Sequence, residues 1–356
     1  MSKMPKTMRA AVLTELKAPL RIVELTMPES LGVGQVLVKV HFSGICGSQL
    51  GEIDGAKGED KYLPHLLGHE ASGTVLEVGP GVRHVKVGDK VVLHWRKSVG
   101  IESPTPVYRW GDRQVNAGWV TTFNEYAIVS ENRLTTIPAD SDLEVAALFG
   151  CAVTTGFGVV ENNAKVRIGE SVVVFGAGGI GLNIVQAAAL VSAYPIVAVD
   201  LHDGRLALAR QMGATHLINS SKVDARQAIL EIVGREGVDA FIDNTGRPPI
   251  IEMGYQITKP QGRVTLVGVP RQGSTINIYS LPLHFGKGLS GSHGGEAVPQ
   301  TDIPRYQKLY GSGRIKLREL ITNRYTLDQV NEAIAGMRDG STAGRCLINL
   351  DAMTSS

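Results

Sequence analysis

A chain of 356 residues is long for a single hydrophobic core and is expected to divide into two domains. Hydrophobic residues make up 43% and charged residues 20%, with a formal net charge of +2 and no block of like charges. A globular chain is therefore expected, with no surface for nucleic acid or for an anionic membrane. No apolar run approaches the roughly eighteen residues needed to span a bilayer. The opening MSKMPKTMRAAVLTELKAPL has basic residues but no apolar stretch of signal-peptide length. Three cysteines cannot build a disulfide framework, which points to a reducing, cytoplasmic compartment.

To about residue 150 the chain carries short β-type runs: AAVLTEL, LRIVEL, QVLVKVHFSG, GTVLEVG and KVVLHW. Glycines and prolines separate them at close intervals, which predicts a largely antiparallel β domain. Cys46 lies there in GICGSQL, His69 in GHEASGTVLEVGPGV, and Cys151 follows in FGCAVTTGFG. Two thiolates and one imidazole are borderline-soft ligands that suit zinc. Three ligands leave a fourth position for water or substrate, whereas a structural zinc is closed by four. Cys46, His69 and Cys151 are thus read as the ligands of one catalytic Zn2+.

The texture then changes. VRIGESVVVFGAGGIGLNIVQAAALV is an apolar strand, a glycine turn and an alanine-rich helix, and PIVAVDLHDGRLALARQMGA repeats the alternation. HLINSS, DAFIDNTG and GRVTLVGVP continue it, which predicts βαβ units and a parallel sheet. Gly176, Gly178 and Gly181 form G-x-G-x-x-G where the strand meets the helix, with Gly179 inside the turn. That pattern allows a tight turn, close approach of a pyrophosphate, and close helix–strand packing. The phosphates would sit at the helix N-terminus. Asp200 closes the second strand, PIVAVD, where a carboxylate binds ribose hydroxyls and repels a 2′-phosphate. NAD is expected rather than NADP, although Arg205 lies near enough in sequence to receive a 2′-phosphate. The remaining residues read as two helices, TDIPRYQKLYGSG and TLDQVNEAIAGMRDG, and a closing strand RCLINL in which Cys346 is a buried, inert residue.

With these motifs the chain resembles the zinc-dependent medium-chain alcohol dehydrogenase family over nearly its full length. GHE followed by Gly73, Gly79 and Val82 carries the resemblance, as does GCAVTTGFG. It implies a GroES-like, mainly β catalytic domain of residues 1–153 and 294–356. A Rossmann NAD-binding domain with a doubly wound parallel sheet, residues 154–293, would be inserted between them. The implied reaction is hydride transfer between an alcohol (primary, secondary, polyol or sugar-like) and NAD. The implied assembly is a homodimer or homotetramer formed through the cofactor domains.

Residue by residue, the resemblance assigns Cys46, His69 and Cys151 to the zinc and makes Glu70 the acidic neighbour that can approach it. Ser48 would take the substrate's proton. Thr155 and Ile180 would press on the nicotinamide, Arg345 would contact the pyrophosphate, and the turn Val267, Gly268 and Val269 would meet the carboxamide. Trp95 matches a position on the substrate pocket wall, and His94 beside it either faces substrate or packs.

Three departures stand out. The segment from His94 to Val120 has no cysteine, so the second, structural zinc of many relatives is not expected. It instead holds all three tryptophans, Trp95, Trp110 and Trp119. These could stack on a sugar-like substrate or stabilise the lobe by burial. Gln49 stands where an aspartate is common, and Gly51 where many members end a proton relay in histidine. Two other functions compete with the leading one: a zinc-free quinone or enoyl reductase on the same fold, and a non-catalytic nucleotide-binding protein.

Overall fold

The computed structural model of the protein describes residues 4–352. The chain divides into two compact units. One comprises the residues up to Cys151 together with those from Val298 onward, and the other is Ala152–Ala297.

The first unit opens with β1 (Thr7–Leu13), β2 (Arg21–Thr26), β3 (Gln35–Ile45), helix α1 (Gly47–Ile53), β4 (His65–Leu66) and β5 (Glu70–Val78). It continues through β6 (Lys90–His94), β7 (Val107–Trp110), β8 (Arg113–Asn116), β9 (Tyr126–Ser130), β10 (Leu134–Thr136) and the short α2 (Leu143–Ala146). The second unit holds α3 (Ala152–Gly158), β11 (Val172–Phe175), α4 (Gly179–Leu190), β12 (Ile196–Asp200), α5 (Asp203–Gln211) and β13 (His216–Asn219). It is completed by α6 (Ala225–Val233), β14 (Val238–Asp243), α7 (Pro248–Ile257), β15 (Thr258–Leu266) and β16 (Gly288–Gly291). The chain then returns to the first unit with α8 (Pro299–Gly311), β17 (Ile321–Thr326), α9 (Val330–Asp339) and β18 (Arg345–Asn349).

Strands β1, β2, β7, β8 and β4 close into a barrel, and a second sheet runs β10-β6-β5-β3-β18-β17. β3 is the axis of that sheet. One edge pairs with β5, while the other pairs first with β9 through Gln35–Lys39 and then with β18 through Phe42–Ile45. Its length follows from serving both partners. Helix α9 buries Val330, Ala333 and Ile334, the i, i+3, i+4 stripe of an amphipathic helix, in one cluster with Ile45, Ile53 and Phe123.

The second unit is a six-stranded sheet in the order β13-β12-β11-β14-β15-β16, every pairing parallel. A strand covered by helices on both faces needs no polar alternation. β11 accordingly reads VVVF and is buried throughout. The strand order reverses beside β11, between β12 and β14. At such a switch point the strand ends leave a crevice for a ligand, and the glycine turn leaves β11 at that place.

Candidate active site

Three separate pieces of the first unit deliver the proposed ligands. Cys46 is the N-cap of α1, directly after β3. His69 lies in the link between β4 and β5, which turns at Gly68 with φ +91; a side chain there would run into Thr122 and Phe123. Cys151 follows the 3-10 turn Ala147–Gly150. Their ligand atoms all lie within 4.8 Å of one another. His69 Nδ1 is 2.5 Å from the Gln49 amide nitrogen, which leaves Nε2 for the cluster, and Nε2 is buried with no hydrogen-bond partner. Cys46 is held well below the usual thiol range. Its hydrogen bond with Cys151 is the chief cause and outweighs the opposing push of burial, with His69 and the Arg345 charge adding to it. Buried polar atoms are rarely left without partners. An orphaned imidazole nitrogen beside two buried sulfurs, one poised to ionise, fits a thiolate- and imidazole-binding cation such as zinc.

Around this cluster the side chains have distinct tasks. Ser48, on the first turn of α1, carries a buried Oγ without a partner. Glu70, the first residue of β5, is fully buried and forms an ion pair with Arg345 of β18. Arg345 Nε remains buried and unpartnered. The Trp95 ring lies 6.5 Å from that of His69, tilted by 56°.

His94 corrects an expectation. It is buried, Nδ1 donates to Arg96 O (2.6 Å) and Nε2 meets Thr135 Oγ1 (2.9 Å). Burial pushes its pKa down to about 4. Both nitrogens are committed to backbone and core, so His94 packs and does not present to substrate. Trp119 is 61% exposed and lies under the Arg133 guanidinium at 4.9 Å.

The lobe without cysteine is therefore not held mainly by buried tryptophan. Its anchors are charged and lie on the 3-10 turn Glu131–Arg133. The Glu131 carboxylate accepts the backbone N–H groups of Arg83, His84 and Ile101. Arg133 donates to Trp95 O and to Glu102. Sequence reasoning missed both residues, because a carboxylate that binds backbone N–H groups has no spacing signature.

In the second unit Gly176 has φ +97 and Gly178 caps α4. A Cβ on Gly181 would strike Gly176 O, so this glycine is needed for the helix to approach the turn. A Cβ on Gly178 would meet nothing, so that face of the turn is open. An open turn at the N-terminus of a buried 12-residue helix suits a diphosphate. Gly179 and Ile180 form the first turn of that helix, and Thr155 is buried on α3, which packs on α4. Asp200 is not the cap of α5; that residue is His202. Its oxygens accept the N–H groups of Ala177 (2.8 Å) and His202 (3.0 Å), and Arg205 stands 3.9 Å away. After β15, the Val267 and Gly268 N–H groups donate to Asp243 O, and Val269 is exposed. Asp243 is buried, which raises its pKa, and it caps the adjoining turn through Thr245 and Gly246.

Residues 32–139 match the alcohol dehydrogenase GroES-like domain, and residues 179–310 match the zinc-binding dehydrogenase domain. The chain is 32% identical to S-(hydroxymethyl)glutathione dehydrogenase of Photobacterium damsela subsp. piscicida, over 94% of this chain and 97% of that one. It superposes on an alcohol dehydrogenase zinc-binding domain protein from Burkholderia ambifaria with a TM-score of 0.87 and 31% identity, covering 97% and 99% of the two chains. Benzyl alcohol dehydrogenase of Acinetobacter calcoaceticus gives a TM-score of 0.86 and 32% identity, covering 97% and 100%. The chain belongs to the zinc-dependent medium-chain alcohol dehydrogenase family, with its GroES-like and Rossmann domains. It is an oxidoreductase of alcohols.

Proposed function

We propose that the protein oxidises a small alcohol reversibly, using one zinc held by Cys46, His69 and Cys151 and NAD held on the Gly176–Gly181 turn. The observation that carries this reading is the partnerless, buried Nε2 of His69 beside two buried cysteines. When bound, zinc supplies the Lewis acid that acidifies the alcohol hydroxyl, and NAD supplies the two-electron acceptor. Ser48, with its Oγ unclaimed, takes the hydroxyl proton. With glycine at position 51, that proton leaves by a route other than a histidine there. Trp95 limits the room beside His69 and so restricts the shape of the alcohol. Glu70, paired with Arg345, keeps a carboxylate near the thiolates without adding net charge to the site.

In the second unit, Asp200 selects NAD by binding the ribose and disfavouring a 2′-phosphate, with Arg205 as a weak opposing influence. Thr155 and Ile180 flank the nicotinamide, and the Val267–Val269 backbone meets its carboxamide. Arg345 Nε is left to contact the pyrophosphate. His94 to Val120 lacks cysteine, so a single zinc per chain is expected. Three buried cysteines, none of them in a disulfide among the described residues, suit a reducing compartment such as the cytoplasm. The exposed apolar residues Tyr279, Leu281, Leu283 and Phe285, just before the edge strand β16, suit a second copy of the chain.

The deciding experiment measures metal per chain by elemental analysis and NAD reduction with simple alcohols, aromatic alcohols and polyols on the same sample. The expected result is about one zinc per chain, removed together with activity by a chelator. A zinc-free preparation that stays active after full zinc supply would overturn the assignment.

A further inference from the structure

The amide of Gln49 is asked to do two jobs. It is buried, its Oε1 accepts the Cys46 N–H at 2.9 Å, and its Nε2 lies 2.5 Å from His69 Nδ1. The first contact caps α1, the helix that carries Ser48. A primary amide has one acceptor oxygen and one donor NH2. A neutral imidazole that gives its Nε2 lone pair to a metal carries its proton on Nδ1. That Nδ1–H needs an acceptor, which is the orienting bond ligating histidines normally make.

In the arrangement described here it would face the amide NH2, donor against donor. Turning the amide over repairs the His69 side and sets NH2 against the Cys46 N–H. No orientation gives both donors an oxygen of their own. A carboxylate at the same place would supply two.

We propose that Gln49 is a positioning residue that sets how tightly the metal is held, because metal on His69 and the cap on Cys46 draw on one amide oxygen. This rests on the reading of His69 as a zinc ligand. Loading the metal weakens the cap, and the cap weakens the support of the loaded imidazole. Zinc is accordingly held less firmly than the ligand set alone would allow.

The test is zinc affinity of the full chain, measured by competition with a chromophoric chelator, for wild type, Gln49→Glu and Gln49→Met. Gln49→Glu, with two acceptors, should tighten binding by about 10-fold or more. A carboxylate also adds charge, so Gln49→Met is the discriminating variant: it is neutral like glutamine but offers only a weak sulfur acceptor in place of the amide oxygen. It should weaken binding by about 10-fold. Gln49→Met binding zinc as tightly as wild type, or Gln49→Glu no tighter, would overturn the proposal while leaving the zinc site intact. A wild type that binds no zinc would overturn the zinc reading and this one together.

Should either variant fail to fold, the wild type still decides. By NMR of the wild type, the Cys46 amide should exchange faster with zinc bound than without it, because the loaded imidazole draws the Gln49 oxygen from the cap. Exchange unchanged or slower on zinc loading would overturn the proposal.

Discussion

Glu70 and Arg345 face each other almost out of contact with water, and Gly44 is what makes room for them. A Cβ on Gly44 would press into the Glu70 carboxylate. Separating one member of a buried pair strands a charge in a low dielectric, at a cost of about 3 kcal/mol or more. Gly44→Ala should therefore lower the melting temperature sharply in calorimetry and reduce zinc retention, since the Arg345 charge is among the influences that lower the Cys46 thiol pKa. Ser48→Ala tests a different role. Turnover should fall by about 100-fold while zinc content stays at the wild-type level, and an unchanged rate across pH would remove Ser48 from the proton path. That Cys46, His69 and Cys151 gather and that a glycine turn opens α4 were legible in the sequence, because such residue types at such spacings serve few purposes. The commitment of His94 was not, because its partner Thr135 lies far along the chain and nothing local marks the pair.

At the scale of elements, the turn Glu131–Arg133 does for its lobe what a metal does elsewhere: one compact charge gathers two separate loops of backbone. The Glu131 carboxyl is depressed by backbone N–H groups from Ile101, Arg83 and His84, against the opposing effect of burial. A depressed carboxyl contributes stability that is complete above the ordinary carboxylate range and disappears as pH falls through the lowered folded value. Glu131→Gln should cost about 3 kcal/mol near neutrality. The gap between variant and wild type, followed by thermal melts in a pH series, should close in acid. A gap independent of pH would mean that the carboxylate charge is not what holds the lobe. The long apolar strands could be read directly from the sequence, whereas β7 and β8 could not. In VYRW and RQVN only Tyr108 and Val115 are fully buried, against exposed Val107, Arg109, Arg113 and Gln114. Two such strands of four residues leave no run that stands out from a loop.

For the whole molecule, the parallel sheet was foreseeable because strands buried on both faces announce themselves by apolar runs between helices. Where the closing strand would lie was not, since RCLINL shows a strand without naming its neighbours. The segment before β16 provides a test of assembly: Phe285, 67% exposed, placed on a self-complementary contact should be intolerant of charge. If the proposed oligomer forms through this surface, Phe285→Asp should give a smaller mass than wild type by light scattering. An unchanged mass would remove this surface from the interface.

β18 has a consequence in time. It lies inside its sheet, hydrogen-bonded to β3 on one side and β17 on the other, yet it is made long after β3. As the polypeptide leaves the ribosome, β3 must wait with one edge of Phe42–Ile45 unmatched until residues 345–349 emerge, whereas all of Ala152–Ala297 is already present. Domains fold as units during synthesis, usually from the N-terminus; here the middle of the chain is the part able to finish first. A chain stopped before Arg345 should keep slow amide exchange across β11–β15 and hold no zinc. Rapid exchange throughout would show that the middle waits for the end as well.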